Sequence, residues 1–140
     1  MRLWHYKILP YSPRTQLLFQ KRECDLIWKD LANGKQTKHV LINYIWEYRN
    51  PKIELLTYYL KLKEEFEKRG YKFNCHPYIN LFDIEIYNKQ PFSWHHDYIY
   101  LRQCYFNLEE KYMRGQKDFD DETFRRLELF MILNGGKMDE

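Results

Sequence analysis

The stretch Ser12-Pro13-Arg14-Thr15-Gln16-Leu17-Leu18-Phe19-Gln20-Lys21-Arg22-Glu23-Cys24-Asp25-Leu26-Ile27-Trp28-Lys29-Asp30-Leu31-Ala32-Asn33-Gly34 decides the fold class. Leu17, Cys24, Ile27, Trp28 and Leu31 fall on one stripe at about 100° per residue, the period of an amphipathic helix. Ser12 offers an N-cap, Pro13 suits the first helical position, and Gly34 stops the run. Working outward, Asn50-Pro51 opens a second helix by the same device and Gly70 closes it, with Leu55, Tyr59, Leu62 and Phe66 as its seam. Tyr98, Leu101, Tyr105, Leu108 and Tyr112 mark a third helix that ends at Gly115, with Asp97 as its N-cap. A last helix runs from Asp120 or Asp121 to Leu133, stopped by Asn134-Gly135-Gly136. His39 to Tyr48 reads as a further short helix. Residues 71–97 alternate proline and aromatic clusters with the short runs Ile79-Asn80-Leu81 and Ile84-Glu85-Ile86, which reads as an irregular connection holding one strand pair or a helical turn. The pattern predicts an all-α chain: a compact single-domain helical bundle over 1–140 with a long irregular loop around 71–97.

At 140 residues there is length for one domain and no separate binding module. A hydrophobic fraction of 44% with 19% aromatic residues supplies enough apolar surface to exclude a disordered chain. No apolar run of about 18 residues exists to span a bilayer, and the start has no long apolar segment of the kind a signal peptide carries. Cys24, Cys75 and Cys104 are odd in number and lack Cys-x-x-Cys spacing, which predicts a reduced, cytoplasmic protein without structural zinc. The formal net charge of +3 is unevenly spread, with residues 1–38 at +5 and the remainder at −2. A basic amino-terminal face suits a polyanion through phosphate contacts, and equally suits a solvated helix face.

Several residues are candidates for chemistry. Glu23 lies on the flank of the first helix's apolar stripe, near Gln16 and Ile27, while Arg22 points away; a carboxylate so placed is partly withdrawn from water. His95-His96-Asp97, with His76 not far off, could ligate a metal, although adjacent histidines point apart and Asp97 serves as a cap. Most aromatics sit on helical seams. Tyr78, Phe92 and Trp94 of the loop, with Trp4 and Tyr6, are left as candidate contact residues. No Gly-rich phosphate loop, nucleophile elbow or HExxH occurs. The residues alone stop at a small helical protein with a basic face.

Ordered motifs go further. Met1-Arg2-Leu3-Trp4-His5, Pro13-Arg14-x-Gln16-Leu17-Leu18, Leu17-x-x-x-x-Arg22-Glu23, Ala32-Asn33-Gly34-Lys35, Lys68-Arg69-Gly70-Tyr71, Asp97-Tyr98-Ile99 and Leu108-x-Glu110-Lys111 follow one another in the chain. In that order they resemble the pyrimidine-dimer DNA glycosylase family, that of the phage enzyme endonuclease V, in its cellular branch. The resemblance spans roughly 1–112. It implies an all-α DNA N-glycosylase with abasic-site (AP) lyase activity, acting in DNA repair without metal or cofactor.

The resemblance also implies roles. The amine of the first residue attacks the sugar C1′ and forms a Schiff base. An α-amine, with a pKa of about 7.7–8.0 against about 10.4 for lysine, has a neutral fraction near pH 7 without drastic desolvation. Arg at position two should keep Met1 from removal, so Met1 supplies the amine and Arg2 follows it in register. Glu23 matches the essential carboxylate, which stabilises the cationic sugar and shuttles protons. Arg22 matches a phosphate-binding arginine. Arg2, Arg14 and Lys35, with Lys38, join it on the phosphates, and Gln16 orients the sugar or the extruded base. The implied partner is double-stranded DNA containing a lesion, bound by a cytoplasmic, nucleoid-associated monomer with no membrane association. The family's Gln-His pair stands here as Thr15-Gln16, Leu26 and Ile27 replace a basic residue after the glutamate, and its aromatic carboxy-terminal tail is replaced by Leu127 to Glu140; these departures bear on lesion choice. Two other classes stay open: a non-catalytic nucleic-acid or protein-binding module, and a metal-dependent nuclease using His95, His96 and Asp97.

Overall fold

The computed structural model describes residues 2–75, 90–115 and 119–135. These contain four α-helices, α1 (Arg14–Ala32), α2 (Pro51–Lys68), α3 (Tyr98–Met113) and α4 (Asp121–Gly135), and two 3-10 helices, Tyr6–Tyr11 and Asn43–Glu47. There is no strand among the described residues, so the chain is all-α as its periodicity predicts. Met1, His76, Tyr78 and both alternating runs expected between Ile79 and Ile86 lie outside the described residues.

α1 and α2 end alike. Gly34 has φ 68° and Gly70 has φ 73°, the left-handed conformation that glycine adopts without steric cost. After each glycine the chain folds back: Lys35 N–H donates to Asp30 O at 2.8 Å, and Tyr71 N–H donates to Phe66 O at 2.8 Å. These 6→1 bonds satisfy carbonyls that the helix end leaves open. Pro51 opens α2 at its first turn, and Asp97 caps α3 by accepting from Tyr100 N–H at 2.9 Å. Asp120 does the same for α4, accepting from Thr123 N–H at 2.7 Å.

Three local expectations are corrected. Ser12 does not cap α1; its hydroxyl donates to Ile8 O at 3.0 Å, because the preceding residues form a 3-10 helix whose end Ser12 closes. His39–Tyr48 does not form an α-helix. Only Asn43–Glu47 is helical, as a single 3-10 turn. Tyr98 is 54% exposed and stands outside the α3 seam, its ring facing the Lys7 ammonium at 5.6 Å.

Two apolar clusters form the interior. One joins α1, α2 and the Asn43–Glu47 turn around Phe92; the other joins α3 and α4. The amino-terminal arm runs between them. Leu3 and Leu9 pack into the first cluster while Trp4 and Ile8 pack into the second. Leu3, Ile8 and Leu9 are at most 1% exposed, and burying such side chains stabilises by about 1.5–3 kcal/mol each. Leu3, Trp4, Ile8 and Leu9 of the arm are therefore part of the core.

Candidate active site

The arm owes its path to polar side chains as much as to apolar ones. Backbone laid across helices has no ladder to satisfy its donors and acceptors, so side chains must do it. Gln20 of α1 does most: its Nε2 donates to Arg2 O at 3.0 Å and its Oε1 accepts from Trp4 N–H at 2.9 Å. Tyr58 of α2 donates to Trp4 O at 2.8 Å, and Tyr100 of α3 donates to Leu3 O. Three helices thus grip three consecutive residues. Gln16, expected to touch sugar or base, is instead 4% exposed, and its Oε1 accepts from the Trp4 indole N–H at 3.0 Å. Trp4 and Phe92, at 5% and 0% exposed, are core residues rather than surface contacts. Trp94, half exposed and stacked on Tyr48, stays available among the described loop aromatics.

Glu23 follows Gln20 by three residues, about 4.5 Å along the helix axis and about 60° around it. The helix therefore presents the Glu23 carboxylate beside the level at which it holds Arg2. Glu23 is half-buried, and its Oε2 is fully buried without a hydrogen-bond partner. A buried acceptor left unpaired costs about 1–3 kcal/mol, so its retention calls for an explanation. Phe19 and Leu26, four residues before and three after, are 49% and 43% exposed, giving the carboxylate an apolar rim open to solvent. Arg22, Arg14, Lys35 and Lys38 are all exposed; Arg22 and Arg14 share the outer face of α1, and both lysines follow its end.

Across from α1, Arg2 is half-buried, with its guanidinium 6.0 Å from the Trp4 ring and hydrogen-bonded to the Cys104 thiol. Burial pushes that thiol up to about 11 against the opposing pull of Arg2. Burial, together with the nearby Arg2 charge, holds His95 below the usual histidine value. The His95 ring stacks on Tyr44 at 3.5 Å. His96 is buried, with its Nε2 2.9 Å from the Tyr44 hydroxyl. Asp97 is spent on its cap. Of the three groups expected to share a metal, both histidines are engaged by Tyr44 and Asp97 by the Tyr100 amide, and among the described residues no group of three or more His, Cys, Asp and Glu converges as a metal site requires.

Periodicity put Glu23 on the flank of the α1 stripe and Arg22 on its outer face, where they stand, but missed Gln20, which a polar residue inside an apolar stripe could have flagged. It also missed His95 as a neighbour of Arg2, since nothing local links positions so far apart.

No helix among the described residues is long and apolar enough to cross a membrane. No curated protein and no solved structure gave a match to the chain. A model of the family described as pyrimidine dimer DNA glycosylase matches residues 1–78, the segment that holds the arm, α1 and α2. The chain belongs to the pyrimidine dimer DNA glycosylase family, a family of DNA-repair glycosylases.

Proposed function

We propose that the protein is a bifunctional DNA glycosylase and abasic-site lyase whose nucleophile is the α-amine of Met1 and whose essential carboxylate is Glu23. The observation that carries this is the double hydrogen bond from Gln20 to the arm, three residues before Glu23 on one helix. One residue of chain, at most about 3.6 Å, separates Arg2 from the amine. The neutral amine attacks C1′ as the N-glycosidic bond breaks and the base departs with the electron pair. Ring opening then gives an imine, and loss of a C2′ proton expels the 3′ phosphate. Glu23 stabilises the cationic sugar and accepts and returns protons; general acid–base groups contribute about 10²–10⁴-fold. Arg2, Arg14, Arg22, Lys35 and Lys38 neutralise phosphates. Gln16 acts at one remove, by fixing the indole of Trp4 within the arm. The protein acts in the cytoplasm as a monomer on lesion-bearing duplex DNA and needs no metal.

Borohydride trapping tests this. The expected result is a covalent adduct with duplexes containing an abasic site or a pyrimidine dimer, formed in EDTA and lost when the α-amine is acetylated. Intact mass should show that the active chain starts at Met1. An active des-Met chain would move the nucleophile, and nicking that needs a divalent cation would replace the imine with a nuclease. Salt-dependent binding without trapping on any lesion would leave a binding module.

A further inference from the structure

At the amino-terminal end of α1 the surface sinks into a groove of about 560 Å3, walled by the Tyr6–Tyr11 turn, the end of α2 and the start of α4. Its floor is settled. Arg69 donates to Glu65 Oε1 at 2.8 Å and to Pro10 O at 3.1 Å, so that cation and that carboxylate cancel. Three other cations line the groove and are exposed: Arg14, Lys68 and Arg126. None of the three has an ion-pair partner among the described residues. The remaining acid, Asp120, is spent capping α4. Its pKa is lowered by that backbone hydrogen bond, so it stays ionised and leaves the groove with an excess of positive charge. Arg14 is also steered inward, its guanidinium 5.2 Å from the Tyr71 ring.

We infer that this groove is a second phosphate-binding site, which holds the backbone of the DNA duplex some base pairs away from the lesion. Arg14 and Arg22 lie on the same outer face of α1, eight residues or about 12 Å apart. Each strand of duplex DNA carries one phosphate per about 3.4 Å of axis, so contacts at the two ends are three to four base pairs apart. Between Arg14 and Arg22 the outward positions of α1 are Thr15, Leu18 and Phe19, with no acid among them, and Glu65 and Asp120 are the acids that line the groove with Arg14, Lys68 and Arg126. Arg126 stands on α4, outside the family-matched residues, and the groove gives that helix a task. The inference rests on the glycosylase reading for the identity of the ligand as DNA; its chemistry, a phosphodiester or phosphate oxygen held by two guanidinium groups and an ammonium, is independent of the imine.

The test uses the full chain with Lys68→Gln, Arg126→Gln and the double variant, each checked for an unchanged thermal midpoint. Binding is measured against salt on two abasic-site duplexes, one extending about twelve base pairs either side of the lesion and one extending about two. Each lost phosphate contact should lower the slope of log K against log salt by about 0.9 on the long duplex, about 1.8 in the double variant. The slope on the short duplex should not change. Arg126→Lys should restore the slope, which a merely structural role would not predict. An unchanged slope on the long duplex, or an equal change on both, overturns the inference. So does tight binding of inorganic phosphate to the wild type that the double variant abolishes, since the groove would then serve a free anion. Wild-type binding without borohydride trapping sinks the imine alone; trapping with an unchanged slope sinks the groove alone.

Discussion

Gln20 holds Arg2 by its carbonyl, with an Nε2–O distance of 3.0 Å, through the same side chain that accepts from Trp4 N–H and shares the Tyr58 hydroxyl proton with Trp4 O. One amide thereby satisfies a donor and an acceptor of the arm and ties α1 to α2 beneath it. Through it α1 holds the arm about one helical turn before Glu23.

Gln20→Leu keeps the volume and removes the hydrogen bonds. The Trp4 amide is left buried and unpaired, and Arg2 O loses its donor, at about 1–3 kcal/mol for each buried group. Urea unfolding should show a loss of roughly 2–4 kcal/mol. A displacement of the arm by about 1 Å should slow saturated borohydride trapping roughly 100-fold. If stability falls while the trapping rate per folded molecule holds, Gln20 supports the fold and leaves the register to Tyr58 and Tyr100.

Glu23→Gln should separate chemistry from stability in the opposite way. The Glu23 Oε2 makes no hydrogen bond, so the substitution breaks none there. The unfolding free energy should stay within about 1 kcal/mol of wild type, as for changes that break no buried interaction. Nicking and trapping should fall by about 10²–10⁴-fold. Wild-type nicking by this variant would remove Glu23 from the mechanism.

The contrast between these two residues shows what one sequence can reveal. The half-buried position of Glu23 was legible because the residue sits on the edge of a periodic stripe, a local signal. The ends of α1, α2 and α3 were legible through Gly34, Gly70 and Gly115 and the start of α2 through Pro51, residues whose backbone rules act within a turn, whereas α4 runs to Gly135, past the stop expected after Leu133. Gln20 and Gln16 were not, since their partners lie many positions away, on the arm's backbone for Gln20 and at the Trp4 indole for Gln16. Trp4 and Phe92 were misjudged for the same reason. A loop aromatic looks available until the packing that covers it is known, and Phe92 is enclosed by Tyr44, Tyr48, Tyr58 and His96.

Phe92 carries a second liability, φ 53° without being glycine. Such backbone costs about 1–3 kcal/mol and persists only where its surroundings enforce it. Its N–H donates to Glu54 Oε1 at 2.9 Å, and Glu54 is 2% exposed. Glu54→Leu should therefore cost about 1–3 kcal/mol, the penalty of leaving the Phe92 amide buried and unpaired. Glu54→Gln keeps an acceptor and should recover most of that. Hydrogen exchange at His96 N–H, which donates to Phe92 O at 2.7 Å, should speed up in Glu54→Leu beyond the change in global stability. Uniform acceleration across the chain would show instead that Glu54 contributes only to the global fold.

His5 ties stability to pH. Its Nδ1 accepts from Lys7 N–H at 3.1 Å, so the proton sits on Nε2, which donates to His96 O at 2.7 Å. A second proton would aim Nδ1–H at the Lys7 amide inside a desolvated site. Burial accordingly lowers its pKa from 6.5 to about 4, against the opposing hydrogen bond to His96 O, and His95 and His96 are lowered by burial too. Between pH 6.5 and about 4 the unfolded chain binds a proton at His5 that the folded chain refuses, so stability falls with pH across that window and is complete above it. For His5 alone the loss approaches about 3 kcal/mol. The urea midpoint should drop steadily from pH 7 to pH 4. His5→Gln, which cannot titrate, should start lower at pH 7 and show a shallower slope. An identical slope in both proteins would assign the acid sensitivity to His95, His96 or the carboxylates rather than to the histidine that anchors the arm.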